Sequence, residues 1–267
     1  MTTSSSWTLF EIDGVPATPV AGRPGLTGRA LVDNSDPGGS TLLAVQYEPG
    51  AGDDARRHAV GQVILVIDGE LTINGHRCGP GAGCYAPPGL SYSILAGPDG
   101  ATAVEFRPAP IVYTTGVDDE ASAPVKPPTS PDPAYAWDIM QSAGPMTSCY
   151  ELSYFDIETM PEARVSDEMT IQALVNHREP EGQSMLMVHH GPNNYTATHS
   201  HDVDQIVVVL HGSISQGNRT FTSGTGFFTP RGKKYNLRAG VDGTVRVEWR
   251  PSPLQFSTDW AEPLAGV

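Results

Sequence analysis

Short apolar runs set the rhythm of this chain. "SMLMVHH", "QIVVVLHG", "SISQG", "RTFTSG", "GFFTP" and "TVRVEWRP" succeed one another between residues 184 and 251. Gly, Pro, Asn and Asp separate them. Runs of this length, rich in β-branched and aromatic residues, predict strands. No segment of useful length holds a 3.6-residue period. "NGHR" at 74–77 and "QGNR" at 216–219 carry the turn chemistry of a hairpin. The expected class is all-β, with short antiparallel strands forming small barrels or jelly rolls.

The pattern occurs twice. "ALVDNSDPGGSTLLAVQYEPG" (30–50) lies over "ALVNHREPEGQSMLMVHHGPN" (173–193) at an offset of 143 residues. At the same offset, and without a gap, His58 meets His201, Gln62 meets Gln205, Gly69 meets Gly212, and Tyr92 meets Tyr235. "VEFRPAP" (104–110) meets "VEWRPSP" (247–253). Upstream, with a two-residue shift, "LFEIDGVP" (9–16) resembles "YFDIETMP" (154–161). Two copies of this size are a duplicated domain rather than a solenoid. The expected division is 1–110, a Pro-rich linker at 111–145, and 146–267. Within the linker, "AYAWDIMQ" has room for one or two helical turns.

Charge narrows the partners. A formal net charge of −14 repels phosphate backbones and anionic lipid, which argues against nucleic acid or a membrane surface. No apolar stretch is long enough to span a bilayer. "MTTSSSWTLFEIDG" lacks the basic and apolar regions of a secretory leader. Three cysteines without metal spacing read as free thiols, so the expected compartment is the cytoplasm. The partner left is a small molecule, with a homodimer also compatible.

The spacing of the shared residues resembles the cupin superfamily, whose motifs are G(X)5HXH(X)3-4E(X)6G and G(X)5PXG(X)2H(X)3N. The second copy reads Asn193, His199-x-His201, Gln205, Gly212, then Gly224, Pro230-x-Gly232, Tyr235. The first reads Gly50, Arg56-x-His58, Gln62, Gly69, then Gly81, Pro87-x-Gly89, Tyr92. The resemblance implies two tandem cupin-type antiparallel barrels. In that family two His, a Glu and a third His hold a divalent metal. Here Gln replaces the Glu and Tyr replaces the third His in both copies, and Arg56 replaces a His in the first.

Side chains alternate along a strand, so His199 and His201 are expected to share a face and reach one ion. Gln205 would add a neutral amide oxygen. Tyr235 stands as a phenolate ligand or as a catalytic residue just outside the ion's shell. Of the adjacent pair His189 and His190, one can face the interior, and His190 is a candidate for proton transfer. Arg56 places a permanent cation where a ligand would sit. The expectation is therefore one divalent metal per chain, in the second copy only. Iron comes first, with zinc, manganese or nickel as alternatives. His199, His201, Gln205 and Tyr235 are expected to line the main polar cavity.

The resemblance implies a metal-dependent enzyme acting on an enol, diol or phenol, foremost an oxygenase or dioxygenase. A non-redox isomerase, cyclase or dehydratase is the second reading. A non-enzymatic small-molecule binder is the third.

Overall fold

The computed structural model describes residues 7–33, 39–109, 138–201 and 203–253. The first copy contributes β1 (Thr8–Glu11), β2 (Thr18–Pro19), β3 (Leu26–Asp33), β4 (Thr41–Tyr47), β5 (Gly52–Arg56), β6 (Gln62–Ile73), β7 (His76–Cys78), β8 (Ala82–Ala86) and β9 (Tyr92–Arg107). A short helix, α1 (Asp138–Ala143), follows. The second copy contributes β10 (Ser153–Asp156), β11 (Ala163–Ser166), β12 (Met169–Asn176), β13 (Ser184–His190), β14 (Tyr195–His199), β15 (Gln205–Gln216), β16 (Arg219–Thr222), β17 (Thr225–Thr229) and β18 (Tyr235–Arg250). The expected linker lies mostly outside the described residues. Among them no helix is long and apolar enough to cross a membrane.

Each unit is one nine-stranded antiparallel sheet. The strand orders are β10-β8-β6-β9-β4-β3-β2, with β5 on β9 and β7 on β6, and β1-β17-β15-β18-β13-β12-β11, with β14 on β18 and β16 on β15. Strand for strand, the two orders are the same. Burial along β9 and β18 also follows one pattern, residue by residue. The hydrogen-bonded ladders stay open and do not close into barrels, which corrects the sequence expectation on that point. The two long strands of each unit bend, so that their halves pair with different neighbours. In the N-terminal unit β6 shifts register around Asp68 and Gly69. Gly69 has a φ of +73°, and a Cβ there would strike the Gly100 carbonyl. Gly212 meets Gly243 in the same way. Only glycine allows this close approach in the left-handed region.

The first strand of each copy is exchanged. β1 pairs with β17 of the C-terminal unit, and β10 pairs with β8 of the N-terminal unit. Among the described residues, contacts accordingly gather 7–11, 138–147 and 160–253 in one unit, and 12–109 with 148–159 in the other. The chain divisions at 110 and 146 are thus crossed by one strand from each side. These are the two segments whose sequences match with the shifted offset. Each carries a buried Phe lying over a glycine: Phe10 over Gly226, and Phe155 over Gly83. A Cβ on either glycine would collide with the ring and with a backbone carbonyl of the neighbouring strand.

The exchanged strand therefore caps what would otherwise be an open edge. Phe10→Ala removes a nearly buried ring and should destabilise the C-terminal unit by about 3 kcal/mol. Urea unfolding followed by near-ultraviolet circular dichroism checks this. A change below about 0.5 kcal/mol, the range of ordinary surface substitutions, would show that the exchange is not structural.

Candidate active site

The second-copy motif residues come together at one end of the C-terminal unit. β14 ends at His199, which pairs across the ladder with Tyr235, the first residue of β18. Their rings are 4.4 Å apart between centroids, and the His199 and His201 rings are 5.1 Å apart. His201 lies beyond the strand end, and the Gly232 N–H donates to its carbonyl at 2.6 Å. Gly89 does the same for His58 at 2.8 Å. Both glycines have φ above +70°. The Pro-x-Gly of the motif is thus a turn that pins the histidine segment.

The hydrogen bonds have a fixed direction. The Gln205 amide nitrogen donates to Glu248 Oε2 at 2.9 Å, which turns its oxygen toward Tyr235. The Tyr235 hydroxyl donates to that oxygen. The Tyr235 oxygen is therefore left to accept, and His201 Nε2 stands 3.0 Å from it. His199 Nδ1 donates to the Ala197 carbonyl at 2.8 Å, which places its lone pair on Nε2.

Three residues that sequence reasoning passed over hold this chain from below. Arg246, Glu248 and Arg250 are at least nine-tenths buried. Glu248 accepts from Arg246 Nε at 2.8 Å and meets Arg250 at 3.5 Å. Arg250 also brings a guanidinium nitrogen within 3.2 Å of His201 Nε2. The signal was present in "TVRVEWR": charges at every second position of an apolar strand share one face.

The N-terminal unit carries an equivalent cluster. Glu105 is held by Arg56 and Arg107, each at 2.8 Å. Arg56 also donates to Tyr47 at 2.9 Å and to His58 at 3.1 Å, and Arg107 donates to Gln62 at 2.7 Å. The expected charge difference between the copies disappears. His199 replaces Arg56, but Arg246 replaces Ala103 at the same offset. Each interior holds two guanidinia against one carboxylate.

This donor set does not suit a divalent ion in either unit. No group of three His, Cys, Asp or Glu residues with metal-binding geometry exists among the described residues. The oxygen of Gln205 and Nε2 of His201 are both engaged by Tyr235. The guanidinium of Arg250 also lies beside the would-be ligand. A 2+ ion about 4 Å from such a charge is repelled by ~8 kcal/mol at an effective dielectric of 20.

The remaining candidates are placed as follows. His190 faces the interior, 4% exposed, but its partner is the Met169 sulfur at 2.8 Å rather than the cluster. A small cavity of about 20 Å³, room for roughly one water, lies in the C-terminal unit, lined by Val165, Met169, Ile171, Leu186, Val188, Arg246, Glu248 and Arg250. His199, His201, Gln205 and Tyr235 do not line it, because they fill their space with one another. The cavity borders them through Glu248 and Arg250.

Burial, reinforced by Arg250, lowers His201 to about 2. Burial, with Arg107 and Arg56, brings His58 to about 2. Burial takes His190 to about 3 and His177 to about 4. Burial alone would raise Glu105 and Glu248, but their arginines outweigh it and bring both to about 2. All these folded values lie below the unfolded ones, so the unfolded chain binds more protons in acid. Stability is present above pH 6.5 and is lost as pH falls: the histidines act first, and the carboxylates act below about 4.5. Urea midpoints from pH 8 to 4 should be flat above pH 7 and then fall. A midpoint unchanged down to pH 5 would contradict buried neutral histidines.

The fold matches solved structures. A proposed dioxygenase from Nostoc punctiforme aligns with a TM-score of 0.71 at 12% identity, over 96% of this chain and 86% of that one. A variant of the Bacillus subtilis oxalate decarboxylase gives 0.65 at 13% identity, over 96% and 80%. Lactobacillus farciminis oxalate decarboxylase, in a formate complex, gives 0.64 at 13%, over 96% and 88%. No family model and no curated protein sequence matches the chain.

Proposed function

We propose that this chain, two tandem units of the cupin fold, is an enzyme acting on a small oxygenated metabolite in its C-terminal unit. Its chemistry is proton transfer of the isomerase, cyclase or dehydratase kind. The directed hydrogen-bond chain from Tyr235 through Gln205 to Glu248, with His201 beside the Tyr235 oxygen, carries this reading. It ends at residues that line a cavity. Tyr235 can give its proton to a substrate carbonyl oxygen and take it back as the enol collapses. His199 Nε2, with its lone pair outward from the Ala197 contact, can take a proton from carbon. Together they move a proton from a carbon beside a carbonyl to another atom of the same substrate, through an enol, with no net oxidation.

An iron-dependent oxygenase is the second reading. The paired rings of His199 and His201 favour it, as does the likeness to the Nostoc protein. The poor fit of the donor set to a divalent ion weighs against it. A binder without turnover is the third reading.

Incubation of the full chain in D2O with a panel of β-diketones and 2-keto acids separates the three. Proton transfer predicts protein-dependent deuterium exchange without oxygen uptake. Tyr235→Phe should lower that exchange about 100-fold or more. Oxygen uptake with catechols or β-diketones after iron loading, lost in His201→Ala, would favour the oxygenase. Absence of both activities would favour the binder.

A further inference from the structure

Tyr235 opens β18, where its ladder partner His199 follows a register shift. On the other side, β15 joins β18 from Arg238 onward. Backbone pairing therefore steadies Tyr235 from one direction. Turning its ring about its own long axis leaves the hydroxyl in place, because the oxygen lies on that axis. Swinging the ring about the Cα–Cβ bond carries the hydroxyl away from Gln205 and His201. Whatever blocks that swing holds the hydrogen-bond chain together.

The groups around the ring are themselves rings. His199 lies 4.4 Å away between centroids. Trp7 meets Tyr235 edge-on at 5.9 Å and 80°, and Phe227 does so at 6.3 Å and 70°. Trp7 is seated in turn, its indole stacked on Phe227 at 5.3 Å. Leu9 faces Phe227 across β1 and β17, so alternation puts Trp7 on the same face, diagonal to that ring. Trp7 thus packs against the buried cluster of Phe221, Phe227, Tyr235 and Leu237.

The N-terminal unit shows what the fold needs without these rings. At the shifted offset Leu152 stands where Trp7 does, and it packs against the cluster that holds Tyr92. At the 143-residue offset Cys78 and Cys84 stand where Phe221 and Phe227 do, and both are buried. The tyrosine is common to both units, but the aromatic enclosure surrounds only Tyr235.

We infer that Trp7 is a positioning residue of the C-terminal site, its indole braced on Phe227 and set edge-on to Tyr235 so that the Tyr235 hydroxyl stays on Gln205 and beside His201. The inference rests on Tyr235 being the residue that transfers the proton, and it adds a residue acting through Tyr235. Reacting groups must be held to within about 0.5 Å of their productive position, a tolerance that a free swing of the ring exceeds. By contact Trp7 belongs to the C-terminal unit, while the chain from Ile12 onward belongs to the other. The exchanged strand thus delivers part of the site as well as covering an edge.

The test is carbon NMR of the full chain labelled at tyrosine Cζ, in equal parts of H2O and D2O. A hydroxyl held in a hydrogen bond exchanges slowly and splits its Cζ signal into two isotopic lines. A mobile one gives a single averaged line. Tyr235→Phe assigns the Tyr235 signal by its loss. Wild type should show two lines for Tyr235. Trp7→Leu, a residue the fold already accepts at the sister position, should collapse them, and Trp7→Phe, which keeps a ring there, should restore them. With a β-diketone or 2-keto acid that exchanges deuterium, Trp7→Leu should slow the exchange about tenfold. It should cost nothing further in a Tyr235→Phe background, because both changes act through one hydroxyl. Trp7→Leu is scored in the folded range of its urea curve, and Trp7→Met replaces it if it does not fold. A single Tyr235 line in wild type overturns the inference, as do two lines in the folded variant. An equal rate loss in the Tyr235→Phe background does so as well. If no substrate exchanges, the proton-transfer reading fails while the Tyr235 lines still decide the role of Trp7, so the two failures can be told apart.

Discussion

A carboxylate buried between two guanidinia organises the interior of each unit. Glu105 and Glu248 sit on the same face of the longest strand, at equivalent positions, and everything polar around them is arranged to compensate them. Taking such a charge out of water costs several kcal/mol, and removing one partner of a buried pair commonly costs 3–5. The fold can therefore vary the source of the arginines but not their presence. In one unit the second arginine comes from β5, as Arg56. In the other it comes from β18 itself, as Arg246.

That exchange of position is the main chemical difference between the copies. With Arg56 in place, the guanidinium spans to Tyr47, His58 and Glu105. With Arg246 in place, the position of Arg56 is free for His199, and a histidine pair faces Tyr235. One duplicated scaffold thus keeps the same count of charges in each interior while placing one arginine on a different strand.

The sequence carried the architecture well, because strand pairing and duplication both leave periodic marks. The 143-residue offset anticipated the matching strand orders, and the shifted match of 9–16 with 154–161 singled out the strands that are exchanged. It could not reveal that they are exchanged, since that depends on which edge each strand meets in space. The histidine, glutamine and tyrosine positions came together as the motif spacing implied. The triad did not come out of the motifs, because Arg246, Glu248 and Arg250 lie outside them, and the repeat "VEFRP/VEWRP" reads first as a strand. Arg56 against His199 looked like a difference in charge only while Ala103 against Arg246 went unweighed. The register shifts beside glycine pairs such as Gly69 and Gly100 are likewise declared by no local pattern.

The central claim is that the guanidinium beside His201, rather than the number of histidines, decides what this interior accepts. Elemental analysis of the full chain and of Arg250→Met, each dialysed against iron, zinc, manganese or nickel and then freed of excess metal, tests it most directly. The account predicts wild-type protein without stoichiometric metal, and retained metal in Arg250→Met, where the repulsion is relieved. One ion per wild-type chain, unchanged in Arg250→Met, would contradict it.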